Sequence, residues 1–155
     1  MTATAATVTT VDVDSATPGA AADRPLRRVL RLNAASSLLF GVIGLAAAPT
    51  WSERSGLDSI AATTVVAAGL VVFAAATLWV AARPVDRLRP LAVVVSAADL
   101  AWVGTSVVMI ALGSLTTAGA VVAGVVALGV ADLAIAQLWF RERIAHPGAR
   151  LRNGR

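Results

Sequence analysis

Two aspartates are the residues of this chain whose positions best suit a chemical or binding role. Asp99 interrupts a run that is otherwise apolar from Leu91 to Leu112, and Asp132 interrupts the next long apolar run. Removing a carboxyl group from water costs free energy unless the group loses its charge or gains a partner. Two such groups on neighbouring helices can share a proton, hold a cation between them, or join the helices through hydrogen bonds. They can also bind a ligand, or pair with a partner subunit, for example with an intramembrane arginine of another protein. The sequence predicts one of these roles for the pair.

Other polar side chains accompany the two aspartates along the apolar runs. Ser96 and Trp102 lie on the same helical face as Asp99, and two earlier segments carry similar stripes of small and polar residues. These stripes are expected to converge on one polar pocket. The predicted polar site consists of Asp99, Asp132, Asn33, Ser36, Ser37, Thr77, Ser96 and Trp102.

Composition places these residues in a membrane protein. Of the 155 residues, 57% are hydrophobic and only 14% are charged, which is too little charge to cover the surface of a soluble domain. Within lipid each segment must satisfy its own backbone hydrogen bonds, so the spans are expected to be helices. The predicted fold is all-α, a four-helix transmembrane bundle.

The elements that would position the site follow from the apolar runs. A membrane domain is predicted at residues 24–143, with spans at about 28–48, 60–82, 90–112 and 118–140, each near the roughly 20 residues that a spanning helix needs. Residues 1–23 are predicted to be a disordered tail and residues 144–155 a basic tail, while 51–58 and 85–89 are predicted to be polar turns. Asp99 and Asp132 then lie roughly 12–14 Å below the same boundary, at 1.5 Å per residue.

Orientation follows from arginine, since the chain has no lysine. All arginines except Arg54 fall on one side of the predicted bundle, and the positive-inside rule then places both termini in the cytoplasm of a plasma membrane protein. Aromatic residues fall at both interfaces. The predicted interface anchors are Trp51, Trp79, Trp139, Arg28, Arg31, Arg83, Arg89 and Arg141. This arrangement of arginine is explained by topology, so no nucleic acid partner is expected.

A repeat suggests that the bundle arose from two helical hairpins. The segment 69–79 aligns without gaps on 129–139, matching glycine, leucine and tryptophan, with Thr77 opposite Gln137. Asn33 can be aligned with Asp99 as the polar residue entering each hairpin. A duplication would relate the hairpins by an axis along the membrane normal. Chance similarity between segments rich in alanine, valine and leucine is the alternative.

Several other classes of protein fit the sequence less well. Basic residues followed by an apolar run and Ala46–Ala48 resemble a signal peptide, although the long preceding segment argues against cleavage. Gly129–Asp132 matches the Gly-x-Gly-Asp motif of intramembrane aspartyl proteases except that alanine replaces the second glycine, so no enzyme is expected. Small multidrug transporters have four helices but centre on a membrane glutamate that is missing here. With no cysteine and His146 as the single histidine, neither a metal nor a cofactor is expected.

In layout and composition the chain resembles small four-helix integral membrane proteins of high-GC bacteria, a resemblance that implies the fold and transfers no functional residue. The first functional expectation is a non-enzymatic accessory or structural subunit in a homo- or hetero-oligomer, with the lipid bilayer and other membrane proteins as partners. The alternative is a small proton- or cation-coupled transporter that uses Asp99 and Asp132 as one pair.

Overall fold

The fold is a bundle of α-helices, as the sequence predicts. The computed structural model describes residues 23–56 and 59–145, and over these ranges it contains five helices and no strand. The helices are α1 (Arg24–Ala46), α2 (Ala48–Ser55), α3 (Ile60–Ala81), α4 (Val85–Ala111) and α5 (Thr117–Ala145). All except α2 are long and apolar enough to cross a membrane. The chain is therefore a multi-pass membrane protein. Of the predicted tails 1–23 and 144–155, residues 1–22 and 146–155 lie outside the described residues, whereas Asp23 precedes α1 directly and residues 144–145 belong to α5.

Two predicted turns prove to be helical. The segment assigned to a loop at 51–58 contributes most of α2, which begins beside Pro49 and ends at Gly56 in a left-handed conformation with φ of 81°. The predicted basic turn at 85–89 is the first turn and a half of α4, which starts directly after Pro84. Leu88 in that turn is completely buried, so tertiary packing outweighs the polar composition of its neighbours.

The two hairpins predicted from the repeat are visible in the packing. The most extensive contacts are made within the pairs α1–α3 and α4–α5, and the pairs then meet chiefly where α1 crosses α5. Three of the six positions that are buried in α3 are also buried in α5, in the register of the sequence alignment. These matched buried positions are Ala67 and Ala127, Ala74 and Ala134, and Thr77 and Gln137.

The first and fourth helices share a burial pattern too, in a different register from the predicted one. Five buried positions of α1 match five of α4: Leu26 with Leu88, Leu30 with Ala92, Asn33 with Val95, Ala34 with Ser96, and Ser37 with Asp99. The packing thus makes Ser37, rather than Asn33, the counterpart of Asp99. The sequence could not separate these registers, because both pair a polar residue of α1 with the aspartate.

The best-packed core lies at one end of the bundle, which we call the arginine-rich end. Here the start of α1, the end of α3 and the start of α4 form a hydrophobic cluster, and Phe140 and Ile144 of α5 pack against it. The cluster consists of Leu26, Leu30, Val80, Ala81, Leu88, Ala92 and Val95. Arg27 forms an ion pair with Asp23 and donates a hydrogen bond of 2.6 Å to the carbonyl oxygen of Ala81. That bond satisfies one of the free carbonyls at the end of α3.

Tryptophans mark both ends of the bundle. At the arginine-rich end the guanidinium of Arg83 lies 3.6 Å from the ring centre of Trp79, and that of Arg143 lies 3.3 Å from that of Trp139. These rings are exposed, as is Trp51 of α2 at the opposite end. Of the other predicted anchors, Arg28 and Arg31 are exposed, and Arg83, Arg89 and Arg141 are half-buried.

At the opposite end, α2 folds against the start of α5. The backbone N–H of Thr116 donates to the carbonyl oxygen of Ser55 at 3.0 Å, and the Thr116 hydroxyl donates to the carbonyl oxygen of Arg54. Gly119 allows this close approach, because a Cβ atom at its position would clash with the carbonyl oxygen of Ser55. The connection between α4 and α5 is therefore attached to α2.

Candidate functional site

The candidate site is a chain of buried polar side chains that joins three helices. Asn33 of α1 donates through Nδ2 to Oδ2 of Asp99 at 2.7 Å, and Gln137 of α5 donates through Nε2 to the same oxygen at 3.1 Å. Ser96 donates to Oε1 of Gln137 at 3.0 Å. All four side chains are buried, with Asp99 only 3% exposed and Asn33 and Gln137 fully enclosed. Asp99 therefore lies at the centre of an interhelical network.

Helix geometry explains why these residues meet. Asp99 is near the middle of α4, and Ser96 lies one turn before it on the same face. Gln137 belongs to the face of α5 that also buries Ala134 and Ala127, small residues that let α5 approach its neighbours closely. Asn33 lies on the buried face of α1 between Leu30 and Ser37. Each helix thus contributes one side of a single buried polar cluster.

The hydrogen bonds of the cluster run in one direction, toward Asp99. Ser96 donates to Gln137, and Gln137 and Asn33 both donate to the carboxyl group, which donates to neither of them. None of the hydrogen bonds among the described residues uses Oδ1 of Asp99. Oδ1 of Asn33 and the hydroxyl of Thr77 are buried without a hydrogen-bond partner in the described part of the chain. The cluster therefore has acceptor atoms for which the described residues provide no donor.

A cavity of about 440 Å³ adjoins the carboxyl group of Asp99. All four long helices line the cavity, and its wall is almost entirely apolar apart from Asp99 and two serines. The lining residues are Ser36, Ser37, Phe40, Val66, Gly69, Leu70, Phe73, Ala98, Asp99, Trp102, Val125, Val126, Gly129, Val130 and Leu133. Phe40, Val66 and Val125 are also exposed on the outside of the bundle, so the cavity opens sideways.

The two aspartates do not form the predicted pair. Asp132 is exposed, and it has no hydrogen bond or ion pair with any other described residue. The buried positions Ala127, Ala134 and Gln137 define the inner face of α5, and at 3.6 residues per turn Asp132 lies on the opposite side of the helix. The prediction that the carboxyl groups face one another is therefore wrong for the single chain, because a shared depth in the membrane does not determine the direction of a side chain around its helix.

The remaining predicted residues divide between the network and the cavity. Asn33 and Ser96 belong to the network, while Ser36, Ser37 and Trp102 line the cavity with Asp99. The Ser36 hydroxyl donates to the carbonyl oxygen of Asn33 at 2.9 Å. Thr77 is fully buried, but no hydrogen bond joins it to the cluster.

Gln137 is the member of the network that the sequence reasoning missed. It stands out in the sequence only as the counterpart of Thr77 in the repeat. The available signal was its position on the same face of α5 as Ala127 and Ala134, since an amide among small, inward-facing residues needs a buried partner. Asp132 lacked that signal, because the neighbours that share its face are large and exposed, including Val125, Leu128 and Ile135.

Within residues 23–56 and 59–145, no three His, Cys, Asp or Glu side chains come close enough to hold a metal ion. The site thus consists of one carboxyl group with two amide donors, a hydroxyl group and an adjoining apolar cavity. Such a site can bind a ligand, or it can hold the three helices together. Comparison of the chain with protein-family models, with curated proteins and with solved structures finds no match.

Proposed function

We propose that the protein is a non-enzymatic subunit of an assembly in the cytoplasmic membrane, and that it assembles through the outer face of α5. The observation that carries the proposal is the exposed carboxyl group of Asp132. It lies near the middle of a membrane helix, on the side that faces away from the rest of the chain.

The distribution of arginine supports the orientation. The starts of α1 and α4 and the ends of α3 and α5 carry the arginines of the described residues except Arg54, which belongs to α2 at the other end. Under the positive-inside rule the arginine-rich end faces the cytoplasm, so both termini are cytoplasmic. The cation–π pairs of Trp79 and Trp139 then lie at the cytoplasmic interface, where amphipathic aromatic rings are favoured.

Lipid exposure of Asp132 would be costly. An aspartate at the centre of a membrane helix costs on the order of 2.5–3.5 kcal/mol, and such residues almost always face protein or a water-filled cavity. In the single chain Asp132 would face acyl chains instead, with Val125, Leu128 and Ile135 exposed around it. A second protein chain against this face would remove the carboxyl group from lipid and give it a polar partner.

A second copy of this chain suits that face of α5. The residues around Asp132 follow the alternating four- and three-residue spacing of a helix–helix seam, and apart from the half-buried Ala136 they are exposed. We call this seam the α5 face; it consists of Ala118, Val122, Val125, Gly129, Asp132, Ala136 and Trp139. A Cβ atom added to Gly129 would have nothing within 4 Å, so another helix can approach this position closely.

Symmetry supplies the partner for the carboxyl group. Two copies inserted in the same orientation are related by a twofold axis along the membrane normal, and each residue on that axis meets its own equivalent. Asp132 would then lie against Asp132 of the second copy at equal depth, where one carboxyl group can donate a hydrogen bond to the other. A single polar position in an apolar seam also fixes the register of the two helices.

Disulfide cross-linking tests this assembly, and the chain is well suited to it because it contains no cysteine. Val122→Cys on the α5 face should give a cross-linked dimer in native membranes, whereas Val94→Cys, also exposed but on α4, should remain monomeric. Adding Asp132→Leu should abolish the Val122→Cys cross-link.

Two results would count against the proposal. A chain that is monomeric in membranes, with no Val122→Cys cross-link, would refute assembly through the α5 face. A cross-link to a different protein would show that the occupant is a hetero-partner, for which an intramembrane arginine is the complementary chemistry.

The transporter alternative assumes one site that contains both aspartates. Asp99 faces the interior of the bundle and Asp132 faces outward, so the two side chains do not form such a site within a single chain. What remains of it is the separate question of Asp99 and its cavity.

A further inference from the structure

We infer that the cavity beside Asp99 is a binding site for a lipophilic amine, a molecule with an apolar body and one protonated amino group. This inference goes beyond the proposed function. The cavity shares Val125 and Gly129 with the α5 face, and the rest of its wall belongs to other residues of the four long helices. The inference rests on three observations: a carboxyl group with an unused oxygen, an apolar cavity that adjoins it, and a lateral opening toward the membrane.

The carboxyl group lacks a cationic partner within the described part of the chain. The arginines of the described residues lie at the two ends of the bundle, and their one ion pair joins Arg27 to Asp23. Asp99 instead receives two amide N–H groups on Oδ2, and both belong to neutral side chains. Carboxylates buried in membrane helices are usually paired with an opposite charge or mark the path of a ligand.

A purely structural network would not need this arrangement. Locking α1, α4 and α5 together requires one acceptor for Asn33 and Gln137, and Oδ2 of Asp99 alone provides it. Oδ1 of Asp99 then remains, and the wall around it contains no donor that the described hydrogen bonds assign to it. The Ser36 hydroxyl, which also lines the cavity, already donates to the Asn33 carbonyl. The hydrogen bonds of the described residues thus leave Oδ1 without a donor, and a protonated amine supplies both donors and the complementary charge.

The rest of the cavity selects for an apolar body. Its volume of about 440 Å³ is within the range of small-molecule pockets, and the Trp102 ring lies beside Asp99 in its wall. Aromatic rings such as this one also attract a cation through their faces. Because the opening faces the side of the bundle, a ligand dissolved in the bilayer can enter without crossing the ends of the helices.

The experiment uses the full chain in nanodiscs of neutral phosphatidylcholine and a dansyl probe, dansylcadaverine, whose tail ends in a protonated primary amine. Energy transfer to the dansyl group from the four tryptophans of the chain, of which Trp102 lines the cavity, reports binding, with empty nanodiscs as the blank. The matched neutral probe is dansyl-n-pentylamide, which lacks only the amine. We expect saturable binding of the amine that is about tenfold or more tighter than binding of the neutral probe, the difference that a charge-assisted hydrogen bond contributes.

Three variants separate the possible outcomes. Asp99→Asn keeps an acceptor for Asn33 and Gln137 but removes the charge, so the preference for the amine should disappear while the folded state persists. Asp86→Asn removes an exposed carboxyl group from the start of the same helix and should bind like the parent chain. Gly69→Phe fills the cavity from a position where an added Cβ atom would have nothing within 4 Å, and should block both probes with Asp99 intact.

Equal affinity for the two probes would overturn the inference, because the cavity would then accept any apolar molecule, including an acyl chain. Unchanged amine binding in Asp99→Asn, or absence of saturable binding to the parent chain, would overturn it as well. Loss of binding in both Asp99→Asn and Asp86→Asn would show that a general effect of charge explains the signal, which also contradicts a site at Asp99.

Discussion

The hydrogen bond between Asn33 and Asp99 makes a quantitative prediction. Leucine is close in shape to both asparagine and aspartate, so Asn33→Leu, Asp99→Leu and the double variant form a double-mutant cycle that removes the bond with little change in volume. Each single variant leaves a buried polar partner without its hydrogen bond, whereas the double variant leaves neither of the pair. The double variant should therefore be less destabilised than the sum of the two singles.

The magnitude follows from the geometry. Hydrogen bonds between membrane helices contribute about 0.6 kcal/mol on average and at most about 1.7 kcal/mol. The Asn33–Asp99 bond is short, at 2.7 Å, its acceptor is a carboxyl group, and both residues are buried, so its coupling energy should lie in the upper part of that range, at about 1–1.7 kcal/mol. The Gln137–Asp99 bond is longer, at 3.1 Å, and should give a smaller coupling, nearer to the average of about 0.6 kcal/mol.

Reversible unfolding in mixed micelles of dodecyl maltoside and SDS, followed by circular dichroism, would measure these free energies. The cycle cancels the transfer free energy of each side chain, which is large for an aspartate and would otherwise dominate the single variants. The matched control is a cycle of Asn33→Leu with Asp132→Leu, which should show no coupling because Asp132 lies on the outer face of α5. A coupling below about 0.3 kcal/mol for Asn33 and Asp99, or a larger one for Asn33 and Asp132, would refute the network.

Three further substitutions test the packing by the same unfolding measurement or by proteolysis. Gly41→Ala should destabilise the α1–α3 pair by about 1–3 kcal/mol, because its Cβ would lie 2.9 Å from a carbonyl oxygen of α3. The control Gly69→Ala adds a Cβ that meets nothing within 4 Å and should be neutral or stabilising. Equal effects of the two substitutions would contradict the close contact at Gly41. Leu88→Ala should cost about 2–5 kcal/mol because Leu88 is fully buried, and a similar loss for Leu100→Ala, whose side chain is 46% exposed, would argue against the core at the arginine-rich end. Gly119→Ala should release the contact between α2 and α5, seen as faster proteolysis of the connection between α4 and α5. An unchanged cleavage rate would show that the contact is not formed.

The fold was predictable because the membrane restricts the choices. Long apolar runs leave only helices, and their lengths follow from the thickness of the bilayer. The predicted spans therefore differ from α1, α3, α4 and α5 by at most five residues at either end. The wrong predictions of secondary structure concern polar segments outside the apolar runs, where the bilayer does not restrict the choice. The segment 51–58 is polar and is typical of a loop, yet its residues 51–55 belong to α2, in which Ser52 and Ser55 are buried against the bundle.

The site was predictable in part, for a related reason. Asp99, Asn33 and Ser96 stand out as polar residues within apolar runs, and the structure brings all of them together. The sequence did not show which side of α5 faces the other helices. Asp132 has an ionisable side chain and was predicted to belong to the site. Gln137 has a neutral side chain and lies closer to the end of the apolar run, although it is the residue that faces inward. The side of a membrane helix that faces protein is set by contacts with other helices, which hydropathy alone does not contain.

The matching burial of Ser37 and Asp99 has a consequence for how a molecule would lie in the cavity. The two residues occupy equivalent positions in the two hairpins, and both line the same cavity from opposite hairpins. Two aspartates there would create a symmetric site with two equivalent binding orientations and would bring two like charges together. Because Ser37 places a hydroxyl group on one wall and Asp99 a carboxyl group on the opposite wall, the two sides of the cavity differ in their polar groups. A molecule with one charged end would therefore bind in a single orientation, with that end toward α4.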